Sequence, residues 1–316
     1  MSAPTPPQGF PASWPRILLV TGKGGVGKTT VAATLANQAA GRGERTILVE
    51  TSGARVAPGL FGRPSEGYAP VVMAPRLSAI SITPEAAFED YVLQQIKVRR
   101  LYKLVFENRI MSPFVEAVPG LHDALQLGKV MDLERDTHRG TRVWDRIIVD
   151  APATGHGLTM MGAARAMMDL TRAGPMFEGL RQVHAVLDDP AKTGLVLVAL
   201  PEEMPVNETL DLWEQLGDSR AQVRLCVLNQ VHPRLCGDQD WAAASAHLQQ
   251  LASPAVAEAM DLVARTISRS NRQEEAHTRL AAGLTVPVVD LPTLTHGVRS
   301  RDDLESLGQA LSEALR

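Results

Sequence analysis

The sequence predicts an α/β fold: a doubly wound, mainly parallel sheet of seven to eight strands carrying an inserted helical subdomain. Three observations carry that expectation. Short apolar runs recur along the chain without polar alternation, as strands buried on both faces do. Helix-forming segments separate the runs. The first run leads into the glycine-rich stretch "VTGKGGVGKTT" (20–30), which fits the phosphate-binding pattern G-x-x-x-x-G-K-S/T from Gly22 to Thr29.

In order, the expected strands are "RILLVT" (16–21), "RTILVE" (45–50), "LSAISI" (77–82), "RIIVD" (146–150), "GLVLVAL" (194–200), "VRLCVLN" (223–229) and "VPVVDL" (286–291). Two intervening segments, 84–135 and 157–190, are too long for simple crossovers and carry amphipathic helix signal. They are expected to meet in space as a helical subdomain over one edge of the sheet. Residues 1–15, "MSAPTPPQGFPASWP", hold five prolines and read as a flexible tail, leaving 16–316 as one nucleotide-binding domain.

Composition narrows the function classes. With 316 residues, 45% hydrophobic and 21% charged, the chain can bury a sizeable core. A formal net charge of -3 argues against general nucleic-acid binding, because no basic excess exists to release phosphate counterions. The local run "KVRRLYK" (97–103) reads as a solvated helix face. Cys226 and Cys236 form no CxxC pair, so neither a disulfide framework nor a zinc cluster is indicated and a reducing compartment is expected. No apolar run reaches the roughly 20 residues that span a bilayer, and the tail lacks a signal-peptide pattern. A cytoplasmic protein with no direct membrane insertion is expected.

The loop supplies the chemistry. Gly22, Gly24, Gly25 and Gly27 let backbone N–H groups close on phosphate at a helix N-terminus, and Lys23 and Val26 complete the cradle. Lys28 is expected to neutralise the β and γ oxygens, Thr29 to ligate Mg²⁺, and Thr30 to reach the α-phosphate. Asp150 ends the apolar run "RIIV" and is placed to hold Mg²⁺ through water. The pattern does not require Lys23, so that lysine calls for its own explanation.

"GKGGVGKTT", with its early lysine, resembles the deviant Walker A motif of the P-loop ATPase class that holds the Min and Par partition ATPases and the nitrogenase iron protein. "DAPATGHGL" (150–158) resembles the switch segment of the ArsA-like family, which holds the arsenite-pump ATPase and the eukaryotic ATPase that delivers tail-anchored membrane proteins. "LPEEMPVNETL" (200–210) and "VLNQV" (227–231) match the same family, and the likeness is greatest to its single-domain bacterial members. The resemblance implies ATP and Mg²⁺ as cofactors. It gives Lys23 a reach across a dimer to the partner's phosphates, Asn229 and Pro292 contacts to the adenine end, and Asp150, Thr154, Gly155 and His156 the γ-phosphate switch. A second subunit follows from it, either a homodimer or a heterodimer with a paralogue.

Two departures from the family pattern matter. Aligned on the shared Phe-Gly ending, "ETSGARVAPGLFG" (50–62) places Ser52 where the family has the aspartate that orients the attacking water. Glu50, on the same strand face, is the candidate substitute, and slow or absent intrinsic hydrolysis is expected. Neither cysteine lies in the switch or helical segments, which speaks against an arsenite site, and the zinc CxxC of the targeting ATPases is missing. Met160, Met161, Met167, Met168 and Met176 suit either a groove for a hydrophobic or tail-anchored client or an ordinary buried helix stripe, and the spacing favours the stripe. The leading expectation is an ATP-binding dimeric switch ATPase that holds or releases a partner. The alternatives are an arsenite or oxyanion transport subunit and a non-hydrolysing regulatory subunit of a heterodimer.

Overall fold

The computed structural model describes residues 10–11, 13–51, 56–63, 68–96, 120–152, 162, 164–165, 167–169, 173–251 and 253–315. Its strands are β1 (Ile17–Gly22), β2 (Thr46–Glu50), β3 (Val71–Ala74), β4 (Leu77–Ser81), β5 (Thr137–His138), β6 (Thr141–Arg142), β7 (Arg146–Asp150), β8 (Thr193–Ala199), β9 (Val223–Val231) and β10 (Val288–Pro292). Eight of them form one sheet in the order β10-β9-β8-β1-β7-β2-β4-β3, and every pairing is parallel except β3 with β4. All seven strands expected from the apolar runs are present. The eighth, β3, doubles back on β4 through a tight turn in which Arg76 takes a left-handed φ of 62°. β5 and β6 form a separate small hairpin.

The described helices are α1 (Lys28–Gly41), α2 (Ala57–Leu60), α3 (Pro84–Ile96), α4 (Leu121–Arg135), α5 (Pro175–Leu187), α6 (Glu203–Leu216), α7 (Asp238–Leu248), α8 (Pro254–Gly283) and α9 (Arg301–Ala314). Because side chains alternate along a strand, each central strand feeds two cores. Ile17, Leu19, Ile147 and Val149 join one core with residues of α4, α5, α6 and α8. Leu18, Val20 and Ile148 join the other with α1 and α9. Both faces are therefore covered, as a parallel sheet requires. Ser300 and Asp303 form a reciprocal capping box that starts α9.

Helices α3, α4 and α5 come from the two long inserted segments and pack on one another, with Lys129 of α4 paired to Asp90 of α3 at 2.7 Å. Met167 is buried in the first core and Met168 packs against it. Met160 and Met161 lie outside the described residues, as do the side chain of Met176 and the basic run 97–103. Among the described residues, no helix is long and apolar enough to cross a membrane.

The expected flexible tail needs correction at its end. Phe10 is 1% exposed and stacks on Trp14 with ring centroids 5.1 Å apart. The Arg42 and Arg146 guanidinium groups sit 4.1 and 5.2 Å from the Phe10 ring centre. Arg146 also donates to the carbonyls of Trp14 and Pro15 at 2.9 and 2.6 Å, while its Nε pairs with Glu44 at 2.7 Å. Two aromatic rings among the prolines thus anchor the segment, by burial and by cation–π contact. Truncating Phe10 to Ala is expected to cost about 3 kcal/mol, at the low end for a buried phenylalanine, read by urea unfolding; an unchanged midpoint would show that the anchor contributes nothing.

Candidate nucleotide-binding site

The site begins where β1 ends. A Cβ on Gly22 would run into the Val198 carbonyl oxygen on β8, and one on Gly27 (φ 90°) into the Asn229 amide on β9. The loop lies flush against these two strands, leaving its backbone as the lining. Gly27 is also the residue before α1, which has no side-chain cap and no acid in its first turn. Its leading N–H groups and positive dipole end suit a phosphate, so the cradle fits the expected group.

Three parallel strands bring the other polar groups level with the loop. Val20 is in register with Asp150, and Asp150 with Glu50. Thr29 Oγ1 donates to Asp150 Oδ2 at 2.6 Å. Asp150 is only 2% exposed, and burial pushes its carboxyl up to about 6. The Thr29 hydrogen bond and the Lys28 charge act the other way, and nearby Glu50 adds to the rise. A hydroxyl and a carboxylate side by side are hard oxygen donors of the kind Mg²⁺ takes, and a bound cation would offset the cost of burying this charge. Lys28 Nζ donates to the Lys23 carbonyl at 2.9 Å, and desolvation lowers its pKa against the pull of Asp150.

Glu50 is buried, and its Oε1 accepts from the Ala57 N–H at 2.9 Å, capping the first turn of α2. Asn229 is buried and donates to the Val26 carbonyl at 2.9 Å, bracing the loop from beneath. Pro292 ends β10 opposite Val231, two positions beyond Asn229 on β9. Lys23 is 53% exposed, and its Nζ meets Glu208 Oε1 of α6 at 2.8 Å. The structure thus brings Gly22–Thr30, Glu50, Asp150 and Asn229 together. Ser52, Thr154, Gly155 and His156 lie outside the described residues.

The family model for anion-transporting ATPases matches residues 15–174 and 164–259. The chain belongs to that family. It is 32% identical to ATPase BagA of Mycobacterium tuberculosis, an alignment covering 100% of this chain and 98% of that protein. It is 29% identical to an arsenical pump-driving ATPase of Escherichia coli over 73% of this chain and 42% of the relative. The ATPase ASNA1 homolog 2 of Paramecium tetraurelia is 24% identical over 68% of this chain and 75% of the relative.

As an anion-transporting ATPase by family, the chain offers little thiol chemistry. Cys226 is sealed inside β9, where burial pushes its thiol up to about 12, and Cys236 lies beyond the strand, half-buried. Two residues at the site escaped the sequence reading. Glu208, the partner of Lys23, lies inside the family-matching stretch 200–210 and was legible only as part of that match. Gln230 takes a left-handed φ of 60° next to Asn229, close to Gly27, and like Glu208 was legible only as part of a family-matching stretch, "VLNQV" (227–231).

The buried Asp150 has a stability signature. Its folded pKa lies above the ordinary 3.8, so the folded chain holds a proton that the unfolded chain has released between about pH 4 and 6. Stability therefore falls as pH rises through that window and stays low above it. Without nucleotide or Mg²⁺, Asp150→Asn is expected to be the more stable protein at pH 7, by up to about 3 kcal/mol for two pKa units. The gap should close below pH 4. Urea unfolding from about pH 3 to 7 reads both; a constant gap would mean that Asp150 is not held in this state.

Proposed function

We propose that this chain works in the cytoplasm as an ATP- and magnesium-dependent switch ATPase that acts as a dimer and couples its nucleotide state to a partner or hydrophobic protein client. The observation that carries the reading is the double lysine at one glycine cradle. Lys28 is turned inward to its own loop, while Lys23 is exposed and pairs with the half-buried Glu208. Lys28 meets the phosphates of the chain's own nucleotide. Thr29, and Asp150 through water, would hold Mg²⁺, which would supply charge neutralisation at the phosphates. Lys23, released from Glu208, reaches the phosphates of a second subunit and stabilises charge there as an arginine finger does. Asn229 and Pro292 face the base, and Thr154, Gly155 and His156 answer to the γ-phosphate.

Slow intrinsic turnover is part of this reading. Serine at position 52 cannot accept a proton as a carboxylate can, and one oxygen of Glu50, Oε1, already accepts from the Ala57 N–H. General-base help of this kind contributes about 10² to 10⁴ in rate. A paralogous partner carrying the missing carboxylate would restore it. Arsenite as the transported anion finds no support in Cys226 and Cys236, one of which is sealed within the sheet.

The test compares wild type with Lys28→Ala and Lys23→Ala for ATP binding, sedimentation and turnover. Lys28→Ala is expected to lose ATP binding. Lys23→Ala should bind ATP within about threefold of wild type yet lose any turnover by about 10³ or more, both alone and after mixing with a homologous chain. Wild-type turnover from Lys23→Ala would sink the cross-subunit role. Glu208→Gln removes a partly exposed ion pair worth up to about 1 kcal/mol. It is expected to lower the protein concentration for ATP-dependent dimerisation by up to about fivefold; no change would mean the pair does not restrain Lys23.

A further inference from the structure

Gln126 is the one buried amide of α4, 3% exposed among Leu125, Leu127, Val130 and Met131. A glutamine in a helix's apolar face is costly unless both its N–H groups find acceptors. Here the side-chain nitrogen donates twice, to the Thr51 carbonyl at 2.8 Å and to the Ile82 carbonyl at 2.7 Å. These carbonyls belong to the residues just past β2 and β4, at the nucleotide end of the sheet. Thr51 in turn donates through its hydroxyl to the Asp150 carbonyl at 2.8 Å, and the Asp150 carboxylate accepts from Thr29. Three hydrogen-bonded steps therefore join the phosphate-loop helix to α4: Thr29 to Asp150, Asp150 to Thr51, Thr51 to Gln126.

The other end of α4 is fixed at the opposite end of the strands, where β1 begins. Arg16, one residue before β1, donates from Nη1 to both the carbonyl and the carboxylate of Glu134 at 2.8 Å. Residues 126 and 134 are separated by about 12 Å of helix at 1.5 Å per residue. The helix is thus hinged by Arg16 far from the loop and gripped by Gln126 beside it. Between α4, α3 and α5 lies a cavity of about 220 Å³, lined by Asp90, Lys129, Met131, Met167, Leu180 and Val183. Tilting α4 about its far end would change the shape of that cavity.

We propose that Gln126 is the positioning residue that transmits nucleotide state from the Thr51–Asp150 junction to α4 and, through it, to the helical layer. The proposal rests on the reading of this site as a nucleotide switch. A load passed to α4 through apolar contact alone could slip; two hydrogen bonds from one amide to two strand ends fix both its position and its direction.

Hydrogen exchange of the full chain, with and without magnesium ATPγS, tests this in wild type, Gln126→Met and Gln126→Asn. Methionine keeps the volume and loses both donors; asparagine keeps the amide but is one methylene too short to reach both carbonyls. Wild type is expected to gain protection at 22–30 and to change its exchange in 84–96, 121–135 and 175–187. Both variants should keep the change at 22–30, with nucleotide affinity within about threefold, and lose at least half of the change in the helices. A merely structural role would lower the melting temperature and leave that difference intact. Equal helix responses in wild type and in either folded variant would overturn the proposal while leaving the switch reading in place. Protection at 22–30 in wild type with no helix response would overturn it together with the coupling; no protection at 22–30 would remove the nucleotide reading itself.

Discussion

The site depends on the common register of β1, β7 and β2. Parallel pairing sets Val20 level with Asp150 and Asp150 level with Glu50, so the glycine loop and both carboxylates leave the sheet at the same height. A one-residue slip of β7 would turn Asp150 to the other face and break its 2.6 Å contact with Thr29. What holds the register is the two-sided core: Ile147 and Val149 are locked into one layer and Ile148 into the other. The polar chemistry at the strand ends is therefore positioned by apolar packing further down the same strands.

That placement stores an electrostatic cost where a ligand can use it. Asp150 and Glu50 are both buried and near each other, and Asp150 lies near one desolvated lysine. Burial and mutual repulsion oppose ionisation of Asp150, and a divalent cation is the group that would relieve both at once. The glycines add a second constraint: Gly22 and Gly27 approach β8 and β9 so closely that no side chain fits. The loop's backbone is therefore pinned against β8 and β9, while the Lys23 side chain stays exposed above it.

Much of this was legible in the sequence because the signals were local. Unbroken apolar runs marked all seven parallel strands, and the lysine–threonine pair at the loop marked Thr29 and, through the strand-end rule, Asp150. β3 was missed because four residues after a proline are too few to show a period, and what defines them as a strand is the edge of β4. The proline-rich tail hid Phe10, whose partners Arg42 and Arg146 come from distant parts of the chain. Glu208 and Gln126 eluded single-sequence reading for the same reason: a glutamate on a helix and a glutamine in an apolar stripe acquire meaning only from what faces them.

The position of β1 has a consequence for how the chain is made. It is an early strand and the middle of the sheet, yet its two neighbours are β7 and β8, with Ile17 opposite Ile147 on one side and Thr193 on the other. At a synthesis rate of about 10 residues per second, its first partner emerges on the order of ten seconds after it. Through that interval a strand buried at every position when folded, with Phe10 and Trp14 just ahead of it, waits on the ribosome without a mate. The sheet cannot grow vectorially from the N-terminus; its centre closes only when the second half of the chain arrives, and nascent-chain protection falls hardest on residues 10–22.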